Sequence, residues 1–364
     1  MRWKQELYVS GVGTALPPPV AAESETAAGR VTPERRAQLG YRSVCVSPDE
    51  AAADLAVRAG RSAVRHARTP AAEIGLVLHS SLWFQGLDMW AAASYVAAGA
   101  VGAHPVAFDV QQRSNAGLGT LEMAAAWLTA GPPERPAALL TTGDRFAAPA
   151  IDRWNSQEVC AYGDGGTALL LSRRSGFARV LATATVADNT LEPVGRGDEA
   201  FADAPGGKAP VPLLRRAEQY AAAPESAGSG QRLLKLLRQT ADRVLADAGT
   251  TAGGLARAVL PATRRGNGRH ELHDLLGLPE SRTTWGFGQH TGHLGTGDQF
   301  AGLAHLLAEG RLVPGDRVLL YAGGAGYTCT AAVIEMTEVP EPPEVPALPG
   351  VPDEVSAAPG EGAV

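Results

Sequence analysis

Phe108-Asp109-Val110-Gln111-Gln112-Arg113-Ser114-Asn115-Ala116-Gly117-Leu118 is the stretch on which the fold of this chain turns. Residues 103–110 read as a strand, a polar turn follows, and residues 116–130 carry Leu118, Leu121, Ala125 and Leu128 at helical spacing. The same alternation continues outward. Upstream, residues 74–79 read as a buried strand. Before them, Ser47-Pro48-Asp49-Glu50 predicts a helix start, with Ser47 as cap, Pro48 at the first position and Glu50 completing a capping box; that helix runs to about Ala67. Residues 89–102 read as a helix and 137–142 as another strand. Helices alternating with short apolar strands predict an α/β fold whose largely parallel sheet is covered on both faces.

An internal echo extends this reading to the whole chain. Tyr162-Gly163-Asp164-Gly165-Gly166-Thr167-Ala168 is a Gly-rich turn feeding a strand, and Ala322-Gly323-Gly324-Ala325-Gly326-Tyr327-Thr328 repeats the idea later. Two similar halves are expected, residues 1–176 and 177–338, the second containing a helix over 230–247 and a strand over 258–260. Residues 186–228 read as a lid-like surface insertion. The Pro-rich, acidic stretch 339–364 predicts a flexible, solvated tail.

The chain has 364 residues, of which 45% are hydrophobic and 19% charged, enough to bury a large core. A net charge of −6 argues against a dedicated nucleic-acid or anionic-membrane binder. No apolar run is long enough for a membrane span, and the polar N-terminus does not read as a signal peptide. Cys45, Cys160 and Cys329 stand far apart, so neither a disulfide framework nor a zinc site is expected, and no metal; a reducing cytoplasm is the expected setting.

Two stretches carry candidate chemistry. Ser114 sits in the turn before an apolar helix. A nucleophile there gains the positive potential of the helix N-terminus and a nearby backbone N–H for an oxyanion, while the plainer reading is that Ser114 caps the helix. Gly286-Phe287-Gly288-Gln289-His290-Thr291-Gly292-His293-Leu294-Gly295-Thr296-Gly297-Asp298-Gln299 reads as a Gly-rich loop with two histidines, opening a helix at Asp298. Asp298 either caps that helix or orients an imidazole. A serine, a histidine and an aspartate in turn regions make a candidate triad for nucleophilic catalysis.

Leu39-Gly40-Tyr41-Arg42, Asp109 to Gly117, Tyr162 to Ala168, Gly292 to Leu303 and Gly323 to Gly326 together resemble the ketoacyl synthase III branch of the thiolase superfamily, over roughly residues 7–337. The resemblance implies two similar βαβαβ halves in an αβαβα arrangement, and a homodimer. It places Ser114 where that family has its nucleophile, usually cysteine. It places Ala262 of Pro261-Ala262 where condensing members have a histidine, and His293 where they have an asparagine. Without that pair, carbon–carbon condensation is not expected. The remaining Ser114, His293 and Asp298 are similar to the family's acyltransferase offshoot.

The resemblance therefore implies transfer of an acyl group from acyl-CoA or an acyl-carrier protein, through acyl-Ser114, to a natural-product or carrier-protein acceptor. The backbone N–H groups of Ser114 and Ala325 would hold the oxyanion. A starter-unit condensing enzyme of polyketide biosynthesis and a non-catalytic partner subunit are the alternatives. The thioester is a substrate, and no permanently bound cofactor is implied. Glu34 and Gln38 stand where relatives hold the CoA adenine, which leaves Arg35, Arg36, Arg42 and Arg153 as candidates for donor phosphates.

Overall fold

The computed structural model describes residues 1–203, 209–264 and 271–345. Its strands are β1 (Tyr8–Ala15), β2 (Pro19–Ala21), β3 (Ser43–Cys45), β4 (Ile74–Ser80), β5 (Val106–Val110), β6 (Ala137–Asp144), β7 (Gly165–Ser172), β8 (Ala178–Ala187), β9 (Arg257–Val259), β10 (Arg317–Gly324) and β11 (Thr328–Met336). β4, β6 and β7 are buried at every position, which an apolar strand achieves only when both faces are covered.

The main sheet runs β5-β4-β6-β7-β1-β8-β11-β10-β9. Within it a pattern repeats. β4 lies parallel to β6, β6 antiparallel to β7, and β7 antiparallel to β1. Likewise β9 lies parallel to β10, β10 antiparallel to β11, and β11 antiparallel to β8. The two units join through Tyr8–Arg179 and Val9–Ala178. The counterpart of β5 in the second unit is reduced to one bridge, Ala258–Thr283. β2 and β3 form a separate ribbon.

The period-2 alternation of the strands sorts side chains into layers. Leu76, Leu78, Ala138 and Leu140 pack in one core with Leu118, Leu121 and Leu128 of the Ala116–Ala130 helix. Their neighbours Ile74, Val77, Ala137 and Leu139 face the opposite way, onto Leu55, Ala59 and Ala63 of the Ala52–Ala67 helix. In the second unit, Val318, Leu320, Ala332 and Ile334 join the first core beside Phe300, Leu303 and Leu307 of the Asp298–Ala308 helix. Leu319, Tyr321, Ala331 and Val333 turn outward onto Leu236, Leu237 and Val244 of the Ser229–Asp247 helix. The result is helix, sheet, helices, sheet, helix. The two middle helices bury Leu118, Leu121 and Leu128 on one and Phe300, Leu303 and Leu307 on the other, and each leucine buried there contributes about 1.5–3 kcal/mol. Their N-termini meet at one end of the molecule.

The sheet is mixed, not largely parallel as expected, because β7, β1, β8 and β11 pair antiparallel through its middle. Three local expectations are also corrected. The first long helix begins at Ala52, because Asp164 takes the backbone N–H of Ser47 and the Ser47 hydroxyl donates to the Glu50 carbonyl; no capping box forms. Trp285–Thr291 is a helix, so the loop proper is only residues 292–297. The start of the tail, though largely exposed, is anchored to the fold. Pro343 is buried, Val345 packs on the central core, and Glu341 and Glu344 pair with Arg68 and Arg65. The rest of that segment, 346–364, lies outside the described residues. The 186–228 insertion contains the Pro193–Arg196 and Leu213–Ala222 helices.

Candidate active site

β5 ends at Val110, and the chain reverses through Gln112–Asn115 into the Ala116–Ala130 helix. Arg113 has φ +50°, and Asn115 and Ala116 donate back to the carbonyls of Gln112 and Arg113. This turn lifts Ser114 clear of the helix. The helix has no side-chain cap, and the Ser114 hydroxyl lies 2.8 Å from His293 Nε2. Glycines allow the parts to meet. A Cβ on Gly324, at the end of β10, would stand 2.3 Å from the Gln112 carbonyl oxygen, and one on Gly117 would stand 2.1 Å from that of Thr296.

His293 reaches Ser114 from the other half of the chain. Gly292 and Gly295 adopt φ +78° and +63°, which bends the loop around it. The His293 N–H donates to the Ala161 carbonyl, and the Gly163 N–H donates to that of His293, so the loop is stitched to residues 161–163. The Tyr162 ring lies alongside the imidazole, centroids 5.9 Å apart.

Asp298, in the first turn of its helix, accepts from the Leu294 N–H at Oδ1 and from the Ala262 N–H at Oδ2, both at 2.8 Å. Its Oδ2 also lies 2.6 Å from His293 Nδ1. An ionised carboxylate can only accept, so the Nδ1 proton belongs to the imidazole, and in the neutral ring Nε2 is left to accept from the Ser114 hydroxyl. His293 and Asp298 are only 4% and 6% exposed, where a charge-assisted pair is weakly screened. His290, on the neighbouring helix, does not join this chain; its carbonyl accepts from the Ser43 hydroxyl and burial lowers its pKa.

A second carboxylate supports the loop. Asp144, at the end of β6, accepts at Oδ1 from the N–H groups of Leu82 and Trp83 and at Oδ2 from the N–H and hydroxyl of Thr296. Burial pushes this carboxyl up from the ordinary 3.8 to about 7, against the pull of those donors. The folded chain thus holds a proton, between those two pH values, that the unfolded chain releases. For this group alone, stability is greatest below about pH 4 and falls by ~4 kcal/mol as the pH rises to about 7. In Asp144→Asn the urea midpoint should therefore shift less between about pH 5 and pH 7 than in the parent. An unchanged pH slope would show that Asp144 is ionised throughout.

Ser114 and His293 open onto a cavity of about 330 Å³. Leu233, Leu237, Leu272, Tyr321 and Tyr327 form its apolar wall; Arg113, Gln157, Thr263 and Arg264 are polar, and Ala325 lies on the same surface. Cys160 also lines it, but burial pushes its thiol up, as it does Cys45 and Cys329, both to about 12. A thiol held protonated is a poor nucleophile.

The arginines proposed for donor phosphates differ in their commitments. Arg153 forks onto buried Asp164, at 2.9 and 3.0 Å, and onto the carbonyls of Tyr162 and Phe146. It is a structural cation, which corrects its assignment to phosphate. Arg35 is tied to the carbonyls of Trp154, Gln157 and Glu158 and to Gln38. Arg36 pairs with Glu23, and the guanidinium of exposed Arg42 donates to the Gln289 side chain. Sequence reasoning missed Arg113, Tyr162 and Asp144; only the Gly295 loop beside Asp144 hinted at a close approach. Among the described residues no cluster of His, Cys, Asp or Glu could hold a metal ion, and no helix is long and apolar enough to cross a membrane.

Fold and site together define a thiolase-fold protein built to present one hydroxyl to an imidazole, and the chain belongs to the ketoacyl synthase III-like family of the thiolase superfamily. Residues 108–189 match 3-oxoacyl-[acyl-carrier-protein] synthase III and residues 245–336 match its C-terminal region. The solved structure of ChlB3, an acyltransferase, is 31% identical with a TM-score of 0.87, covering 93% of this chain and all of that one. The β-ketoacyl-[acyl-carrier-protein] synthase III of Rhizorhabdus wittichii is 28% identical, covering 90% of this chain and 98% of its own length. The priming β-ketosynthase of the R1128 polyketide pathway, 21% identical with a TM-score of 0.72 over 93% of this chain and 99% of its own, shares the fold.

Proposed function

We propose that this enzyme is an acyltransferase that carries its acyl group on Ser114. The supporting observation is the continuous chain from the Ser114 hydroxyl through His293 to Asp298. A serine hydroxyl is far less acidic than a thiol and needs a base to become a nucleophile near neutral pH. As the hydroxyl attacks the thioester carbonyl, its proton moves to His293 Nε2, and Asp298 stabilises the imidazolium. The backbone N–H groups of Ser114 and Ala325 receive the oxyanion. The thiol leaves with the proton from His293, and the acyl-Ser114 ester remains. The acceptor then gives its proton to His293 as it attacks the ester, and Ser114 recovers its own. The acceptor is a natural-product hydroxyl or amine, or a carrier-protein thiol. An oxygen ester is less reactive than a thioester, which limits stray hydrolysis.

The condensing alternative is disfavoured at one position. Where the resemblance calls for a histidine, Ala262 offers only its backbone N–H, and Asp298 takes it. The donor is acyl-CoA or an acyl-carrier protein, with exposed Arg42 and half-buried Arg36 the remaining phosphate candidates. A homodimer fits the outer edge of the sheet. β5 is an edge strand carrying Val106 and Phe108, 48% and 56% exposed, an apolar edge suited to a second copy.

The test is intact-mass measurement after incubation with acetyl- and butyryl-CoA and an acyl-carrier donor. The expected result is one added acyl group, mapped to the peptide containing Ser114, and no carbon dioxide from a malonyl donor. A label on Cys160 or Cys329 would overturn the Ser114 assignment. Decarboxylation with a new carbon–carbon bond would establish the starter-unit condensing enzyme, and no adduct from any donor the partner subunit.

A further inference from the structure

Arg113, beside the nucleophile, is not used by the acyl-transfer steps. Its backbone lies in the left-handed region, where a residue with a Cβ is strained and glycine or asparagine would be cheaper. Its side chain is half-buried on the cavity wall, and it makes no hydrogen bond or ion pair among the described residues. A partly desolvated guanidinium without a partner is costly, and arginine is suited to bidentate capture of a carboxylate. The other described cation on this wall, Arg264, is already engaged: it pairs with Glu280 and lies over the Trp285 ring, 4.6 Å from its centroid. The described acid on the wall, Glu158, is exposed.

We propose that Arg113 binds a carboxylate on the acyl group, so that the preferred donor is the monothioester of a short dicarboxylic acid. The position next to Ser114 decides which anion is meant. Donor phosphates lie the whole length of the pantetheine arm from the thioester sulfur, beyond the reach of a side chain that begins one residue from the nucleophile. A carboxylate a few bonds beyond the reacting carbonyl lies within that reach. The apolar wall from Leu233 and Leu237 packs the methylenes between them.

This rests on the acyl-Ser114 reading, and the test separates the two. Succinyl and butyryl thioesters of N-acetylcysteamine, the end common to CoA and carrier-protein donors, differ in a terminal carboxylate against a methyl. Rates of adduct formation are measured for the parent, Arg113→Ala, Arg113→Gly and Arg113→Lys. Binding to Ser114→Ala, which has no hydroxyl to acylate, is measured by calorimetry alone and combined with Arg113→Ala. The expected result is a preference for the succinyl donor of about 10- to 100-fold, in rate and in affinity. Arg113→Ala and Arg113→Gly lose the preference, and Arg113→Lys keeps part of it. Equal reaction and binding of the two donors, or a preference that survives Arg113→Ala, overturns the proposal. Succinyl-selective binding without any adduct would sustain the role of Arg113 and reject the acyl-enzyme reading; adducts formed equally from both donors would do the reverse. Failure of both donors to bind or react rejects both.

Discussion

Replacing Ser114 with alanine is expected to abolish the acyl adduct and to slow acyl transfer by roughly 10⁴-fold or more, the scale of losing the nucleophile from a triad. The hydroxyl is the atom that would bond to the acyl carbon, and the nearby thiol offers no substitute. Cys160 lines the cavity, but burial holds it protonated. The substitution removes one oxygen from a turn whose backbone bonds run between Gln112, Arg113, Asn115 and Ala116, so folding should be unaffected. Circular dichroism and the melting temperature check that, and intact mass checks the adduct. Undiminished acylation, or a label moved to a cysteine, would remove Ser114 from the chemistry.

His293→Ala carries the second-largest expected effect, a fall of ~10³-fold or more in the rate of adduct formation. Without Nε2 at 2.8 Å the hydroxyl has no base. The loss has a second part. Asp298 would keep its bonds from Leu294 and Ala262 but lose the Nδ1–H partner, leaving a buried carboxylate less compensated. Some loss of stability should therefore accompany the loss of rate, and the rate must be compared at a temperature where the variant is folded. Added imidazole, small enough to enter a 330 Å³ cavity, should restore part of the rate. Near-normal acylation without any added base would contradict His293 as the base.

Some features were legible locally and others were not. The apolar runs at residues 74–79 and 137–142 announced strands covered on both faces, because burial demands apolar residues at every position. The capping box at Ser47–Glu50 misled for a reason no local pattern contains: Asp164, far along the chain, claims the Ser47 N–H. Arg153 reads in the sequence as a candidate for a donor phosphate, and only the placement of the same Asp164 against it shows a structural cation. The glycines of residues 286–297 suggested a loop throughout, yet packing of Trp285 and Phe287 in buried clusters wound the first part into a helix.

The sequence by itself determined the alternation of strands and helices, the repeat of one unit by another, and the residue types competent for acyl transfer. These follow from short-range periodicity and from the chemistry of single side chains. Only the tertiary structure decided that His293 rather than His290 faces Ser114, that Asp298 serves His293 and not merely a helix end, and that Arg113 lines the cavity without a side-chain partner among the described residues. Each depends on contact between groups brought together by the packing of two sheets against shared helices. Ser114 and His293 are 179 positions apart in sequence, and distance in space is not written into either stretch alone.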